Sequence, residues 1–258
     1  MFFFESGKPG QPTIVFLHGN GASSAMWKTH IKHFNDYHCI AVDFPGFGKS
    51  NHENWISIDR TANQVIEIVR NRTNHGKAHV IGLSLGGSIA ITILGKAPEI
   101  IDHAIVDGSG VLPLPGLPFL KIGLRIIQPF LHTNYVIRKI ADSMKIHEDD
   151  YEGFKQEMLL MSPKSFTRSF LQAMAVRQPS GLEKLSYPVL FVSGEREPNA
   201  VKRSNILLAK LMRNGQSRIV PGSGHGWLAE KTDLHIRMVE AWINDQPLPQ
   251  ELIPAHQV

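Results

Sequence analysis

Val80-Ile81-Gly82-Leu83-Ser84-Leu85-Gly86-Gly87-Ser88-Ile89-Ala90 is the stretch on which the reading of this chain turns. It runs from an apolar strand, through Gly-x-Ser-x-Gly, into a helix of small residues. A serine hydroxyl is a poor nucleophile unless the backbone presents it to a base and oxyanion donors wait beside it. A sharp strand-to-helix turn does the presenting, and the two elements then run close together past the serine. Gly82 and Gly86 flank Ser84 as that geometry demands, and Gly87 and Ser88 keep the helix start slim. Glycine and serine are common turn residues, so the pentapeptide draws its weight from the strand before it, the helix after it and the partner motifs elsewhere.

Outward from this turn, short apolar runs alternate with segments of helical period, which predicts an α/β domain with a mainly parallel sheet. Strands are expected at Thr13–Leu17, Cys39–Asp43, His79–Ile81, His103–Asp107, Pro188–Val192 and Arg218–Val220. Helices are expected over Ser24–Phe34, over 58–72 with Ile58, Ala62, Val65, Ile66 and Val69 on one face, from the serine turn to Lys96, and over Asp233–Asn244. Between Val111 and Leu185 no buried strand is legible. A proline-punctuated apolar run there leads into helical pattern from Phe119 to Met144, interrupted near Pro129, then over Tyr151–Met161 and Ser165–Arg177. The division predicted is a core of residues 1–110 and 186–258 with a helical insertion over 111–185. The tail from Pro247 reads as loose.

With 258 residues the chain can bury a large core without staples. Its single cysteine, Cys39, lies in an apolar run and reads as a buried strand thiol. The start, Met1-Phe2-Phe3-Phe4-Glu5, lacks the basic region and apolar length of a signal peptide, and no apolar run is long enough to span a bilayer. A soluble, cytoplasmic protein is the expectation. The net charge of +4 comes from scattered basic residues, with no nucleic-acid motif. No His, Cys or carboxylate cluster has metal-site spacing, and Lys49-Ser50 lacks the glycine spacing of a phosphate loop, so neither metal nor cofactor is expected.

A working serine needs a base, an acid that orients the base, and two oxyanion donors. His225, in Pro221-Gly222-Ser223-Gly224-His225-Gly226-Trp227 after the last long strand, is the base candidate. The donors are expected to be the N–H of Leu85, just after the serine, and that of Asn20 in His18-Gly19-Asn20-Gly21, with Gly21 as the near alternative. Two strand-end carboxylates can serve as acid: Glu197 in Gly194-Glu195-Arg196-Glu197, which is favoured, and Asp107. Asp43 precedes the serine and reads as organising the Pro45–Gly48 turn.

On the His18–Gly21 motif with Trp27 downstream, Asp43-Phe44-Pro45-Gly46-Phe47-Gly48-Lys49-Ser50, Gly82–Gly87 and Gly222–His225, the chain resembles α/β-hydrolase-fold proteins from about residue 10 to residue 245. The resemblance implies a doubly wound, mainly parallel sheet with a helical cap inserted after the strand that ends at Asp107. It also implies the same roles for Ser84, His225, Asn20 and Leu85. One departure stands out: members usually carry aspartate where this chain has Glu197. The expected activity is hydrolysis of a carboxylic ester of a small or medium hydrophobic molecule through an acyl-enzyme. Carbon–carbon hydrolysis, lactonase, thioesterase, haloperoxidase-like or non-catalytic receptor functions are the alternatives. The apolar insertion residues, among them Leu112, Leu117, Phe119, Ile126 and Phe130, either pack on the core or line a pocket.

Overall fold

A computed structural model describes residues 1–255. Within them the chain follows the alternation read from the sequence. Strand β1 (Phe3–Ser6) and strand β2 (Thr13–Leu17) are followed by a single 3₁₀ turn (Ser24–Trp27) and helix α1 (Lys28–His33). Strand β3 (His38–Val42), helix α2 (Ile58–Arg72), strand β4 (Ala78–Leu83), helix α3 (Leu85–Lys96) and strand β5 (Ile101–Asp107) complete the first half. Four helices come next without a strand: α4 (Leu117–Ile127), α5 (Asn134–Ser143), α6 (Glu148–Leu160) and α7 (Pro163–Ala173). The core resumes with β6 (Val189–Gly194), α8 (Asn199–Leu211), β7 (Gly215–Val220), α9 (Trp227–Glu230), α10 (Thr232–Ile243) and β8 (Ile253–Pro254).

The eight strands form one sheet in the order β1-β3-β2-β4-β5-β6-β7-β8. The interior pairings are parallel, and only the edge strands β1 and β8 run antiparallel to their neighbours. Side chains alternate between two cores, as a period of two requires. On β2, Val15 and Leu17 face one core while Ile14 and Phe16 face the other. On β6, Val189 and Phe191 oppose Leu190 and Val192 in the same way. Helices α2, α3 and α8 cover the first face, and Trp27, Phe34 and α10 cover the second. The sheet is therefore doubly wound.

Several expectations needed correction. The tail is not loose: Ile253 and Pro254 pair with Ile219 and Arg218. Helix α8 escaped the sequence reading because polar residues occupy its buried stripe. Ser204 Oγ accepts hydrogen bonds from the Val111 and Leu112 N–H groups, and Asn205 Nδ2 donates to the Val192 carbonyl. The break near Pro129 is present, as a 3₁₀ turn over Gln128–Phe130. Helix α4, however, buries no residue, and Phe119, Ile126 and Phe130 point to solvent rather than to core or pocket.

Candidate active site

The turn after β4 is as tight as the glycines suggested. Ser84 takes φ 54° and ψ −110°, a left-handed conformation that non-glycine residues avoid. A Cβ on Gly82 would collide with the Gly86 carbonyl, and a Cβ on Gly86 with the Leu17 carbonyl. Two main-chain bonds lock the turn: the Ser84 N–H donates to the Asp107 carbonyl at 2.8 Å, and the Gly86 N–H to the His18 carbonyl at 3.0 Å. The Ser109 hydroxyl donates to the Ser84 carbonyl. These contacts place Ser84 Oγ 3.0 Å from His225 Nε2.

The ring of His225 is held from its other side. Nδ1 lies 3.1 Å from Glu197 Oε2. A carboxylate only accepts, so Nδ1 carries the hydrogen and Nε2 is free to accept from the serine hydroxyl. Burial works to lower the His225 pKa, but the hydrogen bond and the charge of Glu197 outweigh it, and the pKa is raised. The loops bearing acid and base are tied together by the Arg196 N–H to the Ser223 carbonyl, the Glu195 N–H to the Val220 carbonyl, and the Gly222 N–H to Glu195 Oε2.

Asp107, the alternative acid, sits beside this pair without bonding to His225. Its Oδ1 accepts from Trp227 Nε1 at 2.9 Å, and its Oδ2 lies 3.7 Å from His235 Nε2. Burial raises its pKa to about 8, with the Glu197 charge adding to the rise against the lowering by the Trp227 bond and His225. A mostly neutral acid at pH 7 supplies little charge to an imidazole. The structure thus brings Ser84, His225 and Glu197 together and leaves Asp107 to hold the serine turn through its backbone carbonyl.

The loop after β2 lies across the serine. A Cβ at Gly19 would fall 3.7 Å from the Ser84 Cβ, an ordinary contact that shows how near the two backbones run. Gly21 takes φ 82°, with Met158 and Phe166 of the inserted helices directly over it. The N–H groups of Asn20, Gly21 and Leu85 make no hydrogen bond among the described residues. The Asn20 side chain is occupied elsewhere: Nδ2 donates to the Phe166 carbonyl and Oδ1 accepts from Ser169 Oγ at 2.7 Å. Two supports of this loop were not foreseen. His18, lowered to about 4 by burial, stays neutral, donates from Nδ1 to the Gly19 carbonyl and accepts the Phe44 N–H at Nε2. Ser169 on α7 has no sequence motif to betray it. Asp43 does organise its turn, accepting from the Ser24 and Lys49 N–H groups. Among the described residues, no group of three or more His, Cys, Asp or Glu side chains could hold a metal ion.

A strand, a strained serine turn, and a histidine loop after the penultimate strand of a doubly wound sheet define a recognisable architecture. The family described as alpha/beta hydrolase fold matches residues 12–181. The chain belongs to the α/β-hydrolase family. A member from Gibberella zeae named AB hydrolase superfamily protein is 25% identical over 98% of this chain and 88% of its own length. A 2-hydroxy-6-oxononadienedioate/2-hydroxy-6-oxononatrienedioate hydrolase of Cupriavidus pinatubonensis is 24% identical over 89% of this chain and 86% of its own. A solved thermophilic esterase from Thermogutta terrifontis superposes with a TM-score of 0.72, at 20% identity, covering 95% of this chain and 93% of the esterase. That likeness is one of fold. As a member of this family, the chain is a hydrolase.

Proposed function

We propose that this α/β hydrolase cleaves the carboxylic ester of a small or medium hydrophobic molecule, with Ser84, His225 and Glu197 as its catalytic triad. The observation that carries the reading is the unbroken chain of contacts from Ser84 Oγ through the imidazole to Glu197, at 3.0 and 3.1 Å. Ser84 Oγ attacks the ester carbonyl carbon while its proton passes to His225 Nε2. The carbonyl oxygen gains the electron pair and rests on the N–H groups of Asn20 and Leu85, which have no acceptor among the described residues. Collapse breaks the C–O bond, and the alcohol leaves with the proton from His225. Water, deprotonated by His225, then attacks the acyl carbon; the acyl–Oγ bond breaks, the proton returns from His225 to Ser84 Oγ, and the acid is released. Helices α4 to α7 act as the cap, since Met158 and Phe166 reach over the Gly21 backbone.

Carbon–carbon hydrolysis, the activity named for the Cupriavidus relative, is the second reading. Such a dienoate carries a carboxylate that needs a cationic partner. Of the insertion's arginines, Arg138 is engaged by Asp142 and Glu148, while Arg125, Arg168 and Arg177 are exposed. This favours the uncharged ester. Hydrolysis of p-nitrophenyl esters from acetate to palmitate, by wild type and Ser84→Ala in parallel, tests the proposal. Expected are turnover by the wild type with a distinct chain-length optimum, and a loss of at least about 10³-fold in the variant. Ser84→Ala at wild-type rate refutes the mechanism. No ester turnover together with cleavage of a vinylogous diketone selects the second reading.

A further inference from the structure

Helix α4 inverts the usual arrangement of a surface helix. Its inward stripe, Leu117 and Leu124, turns towards the protein, and Leu124 packs on the core. Its outward stripe is also apolar: Phe119, Ile122 and Ile126 recur at helical spacing and are 80%, 57% and 67% exposed. Phe130, in the turn that follows, extends the stripe and is 54% exposed. An outward face normally carries the polar side chains, and a contiguous apolar patch of this kind marks an interaction surface.

The charged side chains of α4 itself have one sign, Lys121 and Arg125. From Gly108 to Ala141 the sequence holds Lys121, Arg125, Arg138 and Lys139 and no aspartate or glutamate. Arg138 is neutralised by Asp142 and Glu148. Lys121 and Arg125 have no carboxylate partner among the described residues. One turn apart on α4, they flank the apolar stripe along one edge. Long cationic side chains in that position can reach past a buried apolar face to anionic groups. An apolar face edged by cations is the signature of a helix that lies in the plane of a lipid interface. A second copy of this chain fits less well, because a two-fold contact would set Lys121 and Arg125 of one copy close to those of the other.

We propose that α4 and the turn after it dock this protein on a bilayer surface bearing anionic lipid, with Phe119, Ile122, Ile126 and Phe130 inserted and Lys121 and Arg125 on the headgroups. The surface lies on the cap: α4 packs against α7, whose Ser169 and Phe166 hold Asn20. This inference does not depend on which bond the enzyme cleaves. Flotation of the whole protein with vesicles of phosphatidylcholine alone, or of phosphatidylcholine mixed with phosphatidylglycerol, tests it. Binding to the mixed vesicles is expected to exceed that to the neutral ones at least about tenfold and to weaken with added salt. Removing both cations (Lys121→Gln with Arg125→Gln) should lower the partition on mixed vesicles by about fivefold per charge. Ile122→Asn with Ile126→Asn should lower it at least about tenfold on the same vesicles. Both pairs should keep the wild-type melting temperature, because the replaced side chains face outward. Failure of the wild type to float with mixed vesicles overturns the proposal, as does an isoleucine pair that floats like the wild type. A melting temperature lowered in the isoleucine pair also overturns it, since the face would then be buried. A concentration-dependent dimer lost in that pair assigns the face to a second copy instead.

Discussion

Replacing Glu197 by glutamine removes a charge and keeps the shape, which isolates the carboxylate's contribution to the proposed reaction, in which His225 would become positively charged. With the charge centres about 4 Å apart and an effective dielectric near 20, the attraction between Glu197 and an imidazolium is about 4 kcal/mol. The His225 side chain is 42% exposed and that of Glu197 2%, so solvent screens one partner. Halving the figure for that screening leaves about 2 kcal/mol. The expected loss in kcat/KM of Glu197→Gln is therefore about 30-fold, and no more than about 10³-fold. The pH profile gives an independent sign. Burial lowers the His225 pKa, and the Glu197 hydrogen bond and charge raise it. His225 must be neutral to act as a base, so the acid limb of the wild type should lie above the ordinary histidine value and shift downward in Glu197→Gln. Asp107→Asn is the control. Asp107 is pushed up to about 8 and is already mostly neutral at pH 7. An asparagine there can still accept from Trp227, so activity at pH 7 should stay within about threefold. Steady-state ester hydrolysis across the pH range measures all three proteins. Glu197→Gln at wild-type activity, with Asp107→Asn the crippled variant, would refute the reasoning and move the acid to Asp107.

Gly86→Ala would push a methyl group into the Leu17 backbone, with even the Leu17 Cβ only 2.8 Å away, and should cost about 1–3 kcal/mol of stability, read from urea unfolding. His18→Ala leaves the Phe44 N–H without its acceptor and loosens the Asn20 loop; kcat should fall more than KM rises, by steady-state kinetics on the preferred ester. Acid should destabilise the fold. Burial lowers His18 and His79 to about 4 and His30 to about 3, so the unfolded chain binds these protons first as pH falls below about 6.5. Stability attributable to each is present above that range and lost through it, by roughly 2 kcal/mol per histidine at pH 5. Asp107 acts oppositely, since the folded state keeps its proton from about pH 4 to 8. Three histidines outweigh one aspartate, and the melting temperature should be lower at pH 5 than at pH 7; an unchanged or higher value contradicts the balance.

What the sequence revealed, and what it hid, follows from where each signal is stored. Strands β2, β3, β4 and β6 are buried throughout and β5 from Ala104 onward, so they read as largely apolar runs and could be seen. Ser84, Gly82 and Gly86 sit where backbone geometry permits few residue types, and their motif is correspondingly legible. The edge strands β1 and β8 are four and two residues long and carry no alternation worth reading. Helix α8 was masked by Ser204 and Asn205, polar residues buried because they satisfy backbone groups of other elements. The sequence favoured Glu197 over Asp107 but left both open. Asp107 ends β5 and Glu197 lies in the loop after β6, and the path of the 221–226 loop decides which carboxylate meets the imidazole.

That path also bears on the glutamate that stands where the resemblance implied an aspartate. The 194–197 and 220–223 segments are cross-linked by main-chain bonds from Glu195 and Arg196 and by the Glu195 carboxylate on the Gly222 N–H. His225 therefore stands at a height above the sheet set by the acid's own loop. A Cβ at Gly108 would lie 2.8 Å from His225 Cε1 and 3.2 Å from Glu197 Oε1, so the glycine end of β5 provides the floor on which ring and carboxylate lie. The longer arm of glutamate suits an acid that starts from a buried loop position and must reach along this floor to Nδ1. Asp107, one residue earlier on β5, is directed into the sheet's second face towards Trp227 and His235. The acid of the proposed triad is thus the carboxylate whose loop is cross-linked to the loop of His225.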